Sequence, residues 1–135
     1  MTKNSTLTDC LYEAALVPEL WPDVCKSLAV EAGAAAVGIF TIDHHGSYRH
    51  VTSPNIAELT AKFVTSDAAR QNIRPSRVFE LSPFSFCRDR DLLTPEEMAT
   101  DPSRHDFLYP NGLDAEIGWA FQEPSGHIIA ISVMR

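Results

Sequence analysis

Cysteine and long apolar runs are both scarce in this sequence. The 135 residues include three cysteines, Cys10, Cys25 and Cys87, which form no Cys-x-x-Cys pair. This spacing argues against a disulfide framework and a zinc ribbon, so we expect buried free thiols. No apolar stretch approaches the roughly 18 residues of a membrane-spanning helix, and the N-terminal MTKNSTLTDC lacks the apolar core of a signal peptide. We therefore expect a cytoplasmic protein.

Positive charge is also in short supply. Eleven Lys and Arg residues stand against 18 Asp and Glu residues, a formal net charge of −7, and no basic cluster occurs. Nucleic-acid binders carry a basic patch, so we expect that this chain does not bind DNA by itself. The sequence also lacks a phosphate-binding glycine loop, a nucleotide fingerprint and a haem-attachment motif, and we predict no cofactor.

The bulk composition is that of a globular protein. Hydrophobic residues make up 44% of the chain and charged residues 21%, close to the averages for folded domains. A chain of 135 residues has the usual size of one domain. We predict a single domain spanning residues 1–135.

The N-terminal part predicts two helices and a hairpin of strands. Apolar residues at helical spacing define the first helix: Leu7, Cys10, Leu11, Ala14 and Ala15. After a break at Val17-Pro18, a second helix has Pro22 in its first turn and closes at Gly33. Residues 34–43 and 48–53 are rich in β-forming residues on either side of a polar turn, which predicts a β-hairpin.

Cap signals predict the helices that follow. Ser53-Pro54 predicts an N-cap and a third helix that runs to about Val64. Residues 66–90 show poor periodicity, and Arg74-Pro75 interrupts any helix, so we predict a loop with a short helix before Pro75. Arg88–Asp91 alternates in sign and is interpreted as a solvated surface. The capping box Thr94–Glu97 begins a helix.

The C-terminal part predicts another short helix and two strands. Asp101-Pro102 begins a helix that carries Phe107 and Leu108 and ends at Asn111-Gly112. Large residues then alternate with small or polar ones over 116–122, a strand pattern, and the apolar run 127–134 predicts a central strand.

This order predicts an α+β fold. We expect an antiparallel sheet with an N-terminal helical hairpin, and helices inserted between the second strand and the C-terminal β-hairpin, mainly on one face or at the ends. Small sheets with a central helical insertion are typical of PAS-like and GAF-like sensor domains.

Four segments carry a resemblance to a known family. They are LYEAALVPELWPDVCKSLA from Leu11, DLLTPEEMATDP from Asp91, DFLYPNGL from Asp106 and IGWAFQEPSGHIIAISVMR from Ile117. Together they resemble the N-terminal sensor half of LuxR-type bacterial transcriptional regulators, over most of the chain. Such regulators tend to carry an aromatic residue near position 104, where this chain has Arg104.

The resemblance implies a regulatory function. It implies a PAS-like or GAF-like sensor domain, with a helix-turn-helix domain after Arg135 that makes the DNA contacts and that this chain lacks. It also implies an unidentified small ligand, a homodimer, or both, as the means of control. We expect the first helix, with Thr8 and Glu13, to pack across the two-fold axis of such a dimer. No enzymatic activity is expected.

Aromatic residues are the candidates for a ligand pocket. The set Phe40, Phe84, Phe86, Phe107, Tyr109, Trp119 and Phe121 is also the ordinary filling of a small core. Sensor domains bind ligands between the sheet and the segment that crosses it. On that basis the predicted pocket residues are Phe40, Phe86, Phe107, Tyr109, Trp119 and Phe121.

Three alternatives remain open. Asp43, His44 and His45, with His50, resemble a metal-binding cluster, although a polar turn explains them and we predict no metal. Cys87 with His105 or His127 would make a thiol nucleophile and its base in a small enzyme domain, although we predict no catalytic residue. A ligand-free protein-interaction module is the third alternative.

Overall fold

The sheet is the centre of the structure. The computed structural model of the chain describes residues 6–81, 85–114 and 116–135. Within these ranges five strands form one antiparallel sheet in the order β2-β1-β5-β4-β3. The strands are β1 (Ala36–Ile42), β2 (Tyr48–Thr52), β3 (Cys87–Arg88), β4 (Glu116–Gln122) and β5 (Ile128–Met134). The central position predicted for the last strand is confirmed, since β5 lies between β1 and β4.

The helices of the described ranges fall into two groups along the chain. The N-terminal hairpin consists of α1 (Leu7–Leu16) and α2 (Trp21–Ala32). The inserted helices, between β2 and β4, are α3 (Ala57–Val64), α4 (Asp67–Arg70), α5 (Arg74–Leu81), α6 (Asp89–Leu92) and α7 (Pro95–Thr100). Short 3₁₀ turns span Pro18–Leu20, Pro54–Ile56 and Tyr109–Asn111, and a π-helical segment spans Ser103–Leu108. No helix in the described residues has both the length and the apolar character needed to cross a membrane. The predicted α+β class and element order are confirmed.

The helical hairpin covers one face of the sheet. Cys25 and Ala29 of α2 form a buried cluster with Val37 of β1, and the residues that surround this cluster are Leu28, Ile39, Val51, Ile131 and Val133. The predicted end of α2 is confirmed, because Gly33 adopts the left-handed conformation with φ of 63° that glycine tolerates best.

The inserted segment covers the opposite face, so helices lie on both faces of the sheet, where the sequence predicted them mainly on one face or at the ends. Two buried clusters form there: Ala36, Ile56, Leu108, Leu113 and Met134, and Val78, Cys87, Leu92, Leu93 and Ala120. Alternate residues of a strand point to opposite faces. A strand that is apolar at nearly every position, as β5 is, therefore needs cover on both sides.

Residues 66–90 contain more regular structure than the sequence predicts. Two helices and a short strand form in the described part of this segment, and Arg74-Pro75 begins α5 instead of interrupting a helix. A proline in the first turn is compatible with a helix because that turn needs no backbone donor. The side chain of Asn72 supports this start, since its Oδ1 accepts a hydrogen bond from the Arg74 amide at 3.2 Å.

Ser53 and Pro54 occupy the predicted N-cap and first helical positions, but the serine makes no capping hydrogen bond. Its side chain does not cap the turn that starts at Pro54, because the buried Ser53 Oγ accepts a hydrogen bond from the Val37 amide at 3.1 Å. The serine therefore joins the end of β2 to β1. The predicted capping box at Thr94 and Glu97 is confirmed, with both reciprocal hydrogen bonds present.

Glu97 also pairs with Arg77, and this pairing predicts how stability depends on pH. Its carboxylate accepts hydrogen bonds from Arg77 at 2.5 and 2.7 Å, and these bonds, with the Thr94 amide, lower the pKa of Glu97 to about 2 from its ordinary value of 4.5. As the pH falls, the Glu97 carboxylate is therefore protonated in the unfolded chain at a higher pH than in the folded protein. We expect the contribution of Glu97 to stability to be complete above about pH 4.5 and to be lost as the pH falls toward 2.

Acid titration of two variants measures this contribution. In Glu97→Gln, urea denaturation between pH 5 and 2 should show a shallower fall in the free energy of unfolding than the wild type. Glu96→Gln, which removes the exposed carboxylate next along α7, should keep the wild-type slope. Equal slopes in Glu97→Gln and the wild type would contradict the assignment.

Candidate ligand-binding site

A cavity lies between the sheet and the inserted helices. Its volume, measured as the space open to the centre of a water-sized sphere, is about 100 Å³. A single water needs roughly 10 to 15 Å³ by that measure, so the space suits a small organic molecule. The strand side includes Phe40, Gly118, Ala120 and Ala130, and the helix side includes Leu59, Phe63, Val78 and Phe107.

Four aromatic rings form a continuous row along the cavity. Phe40 contacts Tyr48 at 6.1 Å between ring centroids, Tyr48 contacts Phe63 at 6.4 Å, and Phe63 contacts Phe107 at 5.2 Å, all edge to face. Edge-to-face packing is a favoured geometry of aromatic pairs. The row joins two strands to α3 and the π-helical segment. It provides one apolar wall of the cavity.

Asp89 is the centre of a buried ion network at the polar end of the cavity. Its carboxylate accepts two hydrogen bonds from Arg74, at 2.8 and 2.9 Å, and a third from Arg104 at 2.6 Å. Asp89 is 4% exposed and both arginines are 6% exposed. Charge-assisted, bidentate pairs of this kind are strong and orient their partners well.

Further bonds extend the network to other elements. Arg74 also donates to Asp101 at 2.5 Å, and Arg104 donates to the Tyr109 hydroxyl at 3.0 Å and to Asp114 at 3.1 Å. Burial alone would lower the pKa of Arg74, but its hydrogen bond to Asp89 and the nearby carboxylates raise it well above the ordinary value. The arginine therefore stays charged, and the network ties α5, α6, the end of α7 and the π-helical segment together.

Glu116 and Ser103 complete the polar end of the cavity. Glu116 Oε1 accepts a hydrogen bond from Ser132 Oγ at 3.0 Å, while Oε2 lies 3.6 Å from Arg74 Nε. Burial raises the pKa of Glu116. Ser103 is 6% exposed, and its Oγ has no hydrogen-bond partner among the described residues. We call Arg74, Asp89, Ser103, Glu116 and Ser132 the polar corner; all five line the cavity.

The predicted pocket residues divide into two groups. Phe40, Phe107 and Trp119 line the cavity. Phe86 is half exposed and its ring lies 6.2 Å from Trp119, while Phe121 lies 5.0 Å from Trp119 on the other side. Tyr109 is 43% exposed and its ring lies against the guanidinium of Arg104. The structure thus groups Trp119 with Phe86 and Phe121, apart from the aromatic row.

The register of β4 explains this division. Trp119 pairs with Ile131 of β5, and Ile131 packs on the face that α2 covers. Because side chains alternate, Glu116, Gly118 and Ala120 share the opposite face of β4, and all three line the cavity together with Trp119. Tyr48, Phe63 and the polar corner were not predicted from the sequence. Phe63 falls within the third helix predicted to run to about Val64, but the sequence did not indicate its neighbours.

The alternatives to a ligand pocket fall on separate parts of the molecule. Asp43 accepts hydrogen bonds from the amides of His45 and Ser47, both at 2.9 Å, as expected of a polar turn. Across the described ranges no group of three or more potential metal ligands comes together. Cys87 is buried, whereas His105 packs against Tyr109. Phe84, from the predicted aromatic set, lies outside the described residues.

The interpretation of Arg88–Asp91 as a solvated surface is wrong for one residue. Arg88 and Asp91 are exposed and pair with each other at 3.2 Å, but Asp89 is buried in the ion network. A helical turn directs neighbouring side chains to different sides, so three members face solvent while Asp89 faces the interior. The partners of Asp89 are remote in the sequence, so no local sequence pattern predicts them.

Comparison with solved structures identifies the fold. The chain is similar to the N-acylhomoserine lactone-dependent LuxR family transcription factor CepR2 from Burkholderia cenocepacia, with a TM-score of 0.68 at 14% identity, over 96% of this chain and 76% of that chain. It is also similar to the LBD domain of VqsR from Pseudomonas aeruginosa, with a TM-score of 0.68 at 12% identity, over 94% and 76%. No family model matches the sequence, and no curated protein matches it significantly. The chain has the fold of LuxR-type ligand-binding domains.

Proposed function

We propose that this chain is the sensory domain of a LuxR-type transcriptional regulator and that it binds a small molecule in the cavity. The observation that carries the proposal is the cavity itself, which has an aromatic wall and a polar corner between the sheet and the inserted helices. Ligand sites are commonly apolar clefts with a few placed polar groups. The fold shared with a ligand-dependent regulator supports the same function.

The ligand in this proposal is amphipathic. An apolar chain would lie along the row Phe40, Tyr48, Phe63 and Phe107, and a polar group would meet the polar corner. The control of transcription would pass to a helix-turn-helix domain beyond Arg135, in the cytoplasm. Ligand binding would act by stabilising one conformation or dimer over another. The domain itself would be non-enzymatic.

Thermal unfolding with N-acylhomoserine lactones of short and long acyl chain tests the proposal. These compounds are suitable first probes because CepR2 is described as dependent on them. A ligand present at about 100 times its dissociation constant adds roughly 2.7 kcal/mol to the free energy of unfolding. We expect at least one acyl length to raise the melting temperature, with 1:1 stoichiometry in calorimetry. Absence of any shift across lactones and the amphiphiles described below would contradict the proposal.

Homodimerisation is part of the same proposal. Tyr12 and Leu16 lie one turn apart on α1, at 72% and 85% exposure, and Val17 beside them is also exposed. An apolar strip on an N-terminal helix suits a self-complementary contact across a two-fold axis.

The Leu16→Lys variant tests this contact. A lysine at the centre of the strip would place like charges across the two-fold axis, and we expect it to raise the dissociation constant of the dimer at least about tenfold. Sedimentation velocity over a concentration series measures this. Ile73→Lys makes the same kind of change at an exposed residue between α4 and α5, and it should leave the dimer intact. A monomeric wild type at high concentration would overturn the prediction.

A further inference from the structure

The charges of the buried network do not balance. Its two guanidinium groups, Arg74 and Arg104, face three carboxylates with little exposure, Asp89, Asp101 and Glu116. Buried charges are normally paired, because an uncompensated charge in a poorly solvated site is costly. When all three carboxylates are ionised, one negative charge of the network therefore lacks a positive partner within it.

Of the three carboxylates, Glu116 is the one that receives no hydrogen bond from either arginine. Asp89 receives three hydrogen bonds and Asp101 a close one from Arg74, whereas Glu116 receives its hydrogen bond from the neutral hydroxyl of Ser132. Its Oε2 is 3.6 Å from Arg74 Nε, beyond hydrogen-bond range, and that Nε donates to Asp89 at 2.8 Å. A carboxylate offers about four acceptor sites. Glu116 can accept further donors from inside the cavity.

Ser103 points independently to a missing polar group. Its hydroxyl is more than nine-tenths buried, lines the same cavity from the π-helical segment, and has no partner in the described part of the chain. An unsatisfied buried hydroxyl is destabilising, so native structures normally provide a partner from protein, water or ligand. Ser103 and Glu116 both line this cavity, and a ligand group with several donors that reaches both would satisfy them.

An anionic head group does not fit this corner. Both guanidinium groups are already paired with buried carboxylates, so neither has an uncompensated positive charge to offer a new anion. A second negative charge near Glu116 would add like-charge repulsion in a poorly solvated site. A group with several donors and a positive charge meets both requirements, since an ammonium has three donors and no acceptor.

We infer that the ligand of this domain carries a primary ammonium group, held by Glu116 and Ser103, on an apolar chain that lies along the aromatic row. The inference rests on the proposed function and adds the chemical class of the ligand. The new contact would neutralise the excess negative charge of the network. The preference for an ammonium group also distinguishes this cavity from one that binds a neutral or acidic amphiphile.

Calorimetric titration with three probes of equal chain length tests the inference: hexylamine, hexanoate and N-hexanoyl homoserine lactone, near pH 7. We expect hexylamine, which is a cation at this pH, to bind wild type at 1:1 stoichiometry and to raise its melting temperature. Hexanoate should have no effect. Hydrogen bonds to charged groups contribute about 1.5 to 3 kcal/mol, so Glu116→Gln should weaken hexylamine binding about tenfold or more.

Two further variants keep the result interpretable. Ser103→Ala should weaken hexylamine binding by a smaller factor, and it tests the same contact if Glu116→Gln fails to fold. Glu58→Gln, which removes an exposed carboxylate of α3, should bind as the wild type does.

The outcomes separate the inference from the proposed function. Binding of the lactone or hexanoate without binding of hexylamine overturns the inference and leaves the proposed function in place. Hexylamine binding that is unchanged in Glu116→Gln and Ser103→Ala also overturns the inference. Failure of all three probes in wild type counts against both.

Discussion

Asp89→Asn should reduce the free energy of unfolding by about 3 to 5 kcal/mol, the cost of removing one member of a buried ion pair. The change leaves the side chain's volume intact and removes the charge that Arg74 and Arg104 share. Both guanidinium groups would then remain buried and poorly compensated, and an amide cannot accept all three of their hydrogen bonds. Urea denaturation measures the loss. The slope of the free energy of unfolding against urea concentration should be the same in the variant and the wild type.

Asp114→Asn is the matched control for this experiment. Asp114 also pairs with Arg104, at 3.1 Å, but its side chain is 77% exposed. Exposed ion pairs contribute little, so the free energy of unfolding should change by less than about 1 kcal/mol. Similar losses in the two variants would show that the network is not organised around Asp89.

Ala130→Phe should abolish the stabilisation of the domain by its ligand. Ala130 lies in the centre of the sheet, paired with Phe40 of β1 and Ala120 of β4, and all three residues line the cavity. A phenyl ring added there would occupy the space that the ligand requires. A probe that adds roughly 2.7 kcal/mol to the stability of the wild type should add almost none to the variant. Thermal unfolding with and without the probe measures both values.

Ile129→Phe controls for the general effect of a phenyl ring in β5. Ile129 is the neighbouring residue of the same strand, so its side chain points to the opposite face, where it pairs with Thr41 and Phe121. We expect this variant to keep its response to the probe, whatever its own stability. Retention of the response in both variants would place the ligand outside the cavity, and loss of the response in both would show that the effect of a phenyl ring in β5 is general.

Elements with a repeating or capped pattern were predictable from the sequence. The two helices of the hairpin, the two β-hairpins and the turn at Gly112 follow from spacings and caps that span a few residues. Helical periodicity, strand alternation and capping boxes are local patterns, so they can be recognised in the sequence without knowledge of the fold. The PAS-like or GAF-like label and the domain limits stay predictions.

The segment between α3 and α7 was less predictable. Its helices are short, and α5 begins at Arg74, the residue that the sequence suggested as a break. Short helices have weak propensity signals and depend on tertiary contacts for their stability. Here α5 is held by contacts of Arg74 with Asp89 and Asp101, which lie 15 and 27 positions away along the chain.

The candidate site was also only partly predictable from the sequence. Phe40, Phe107 and Trp119 line the cavity, and their role as ligand-pocket residues stays a prediction. The aromatic row also required Tyr48 and Phe63. The face to which each β4 residue points was settled by its pairing with β5, which gives the cavity Gly118 and Ala120.

The sequence by itself determined the class of fold, the order of the elements and the apolar residues available to a core. Only the tertiary structure decided which face of the sheet holds the cavity and which charges meet there. The physical reason is range: propensity and periodicity act over a few residues, whereas a buried carboxylate such as Asp89 is placed by partners that folding brings from distant parts of the chain.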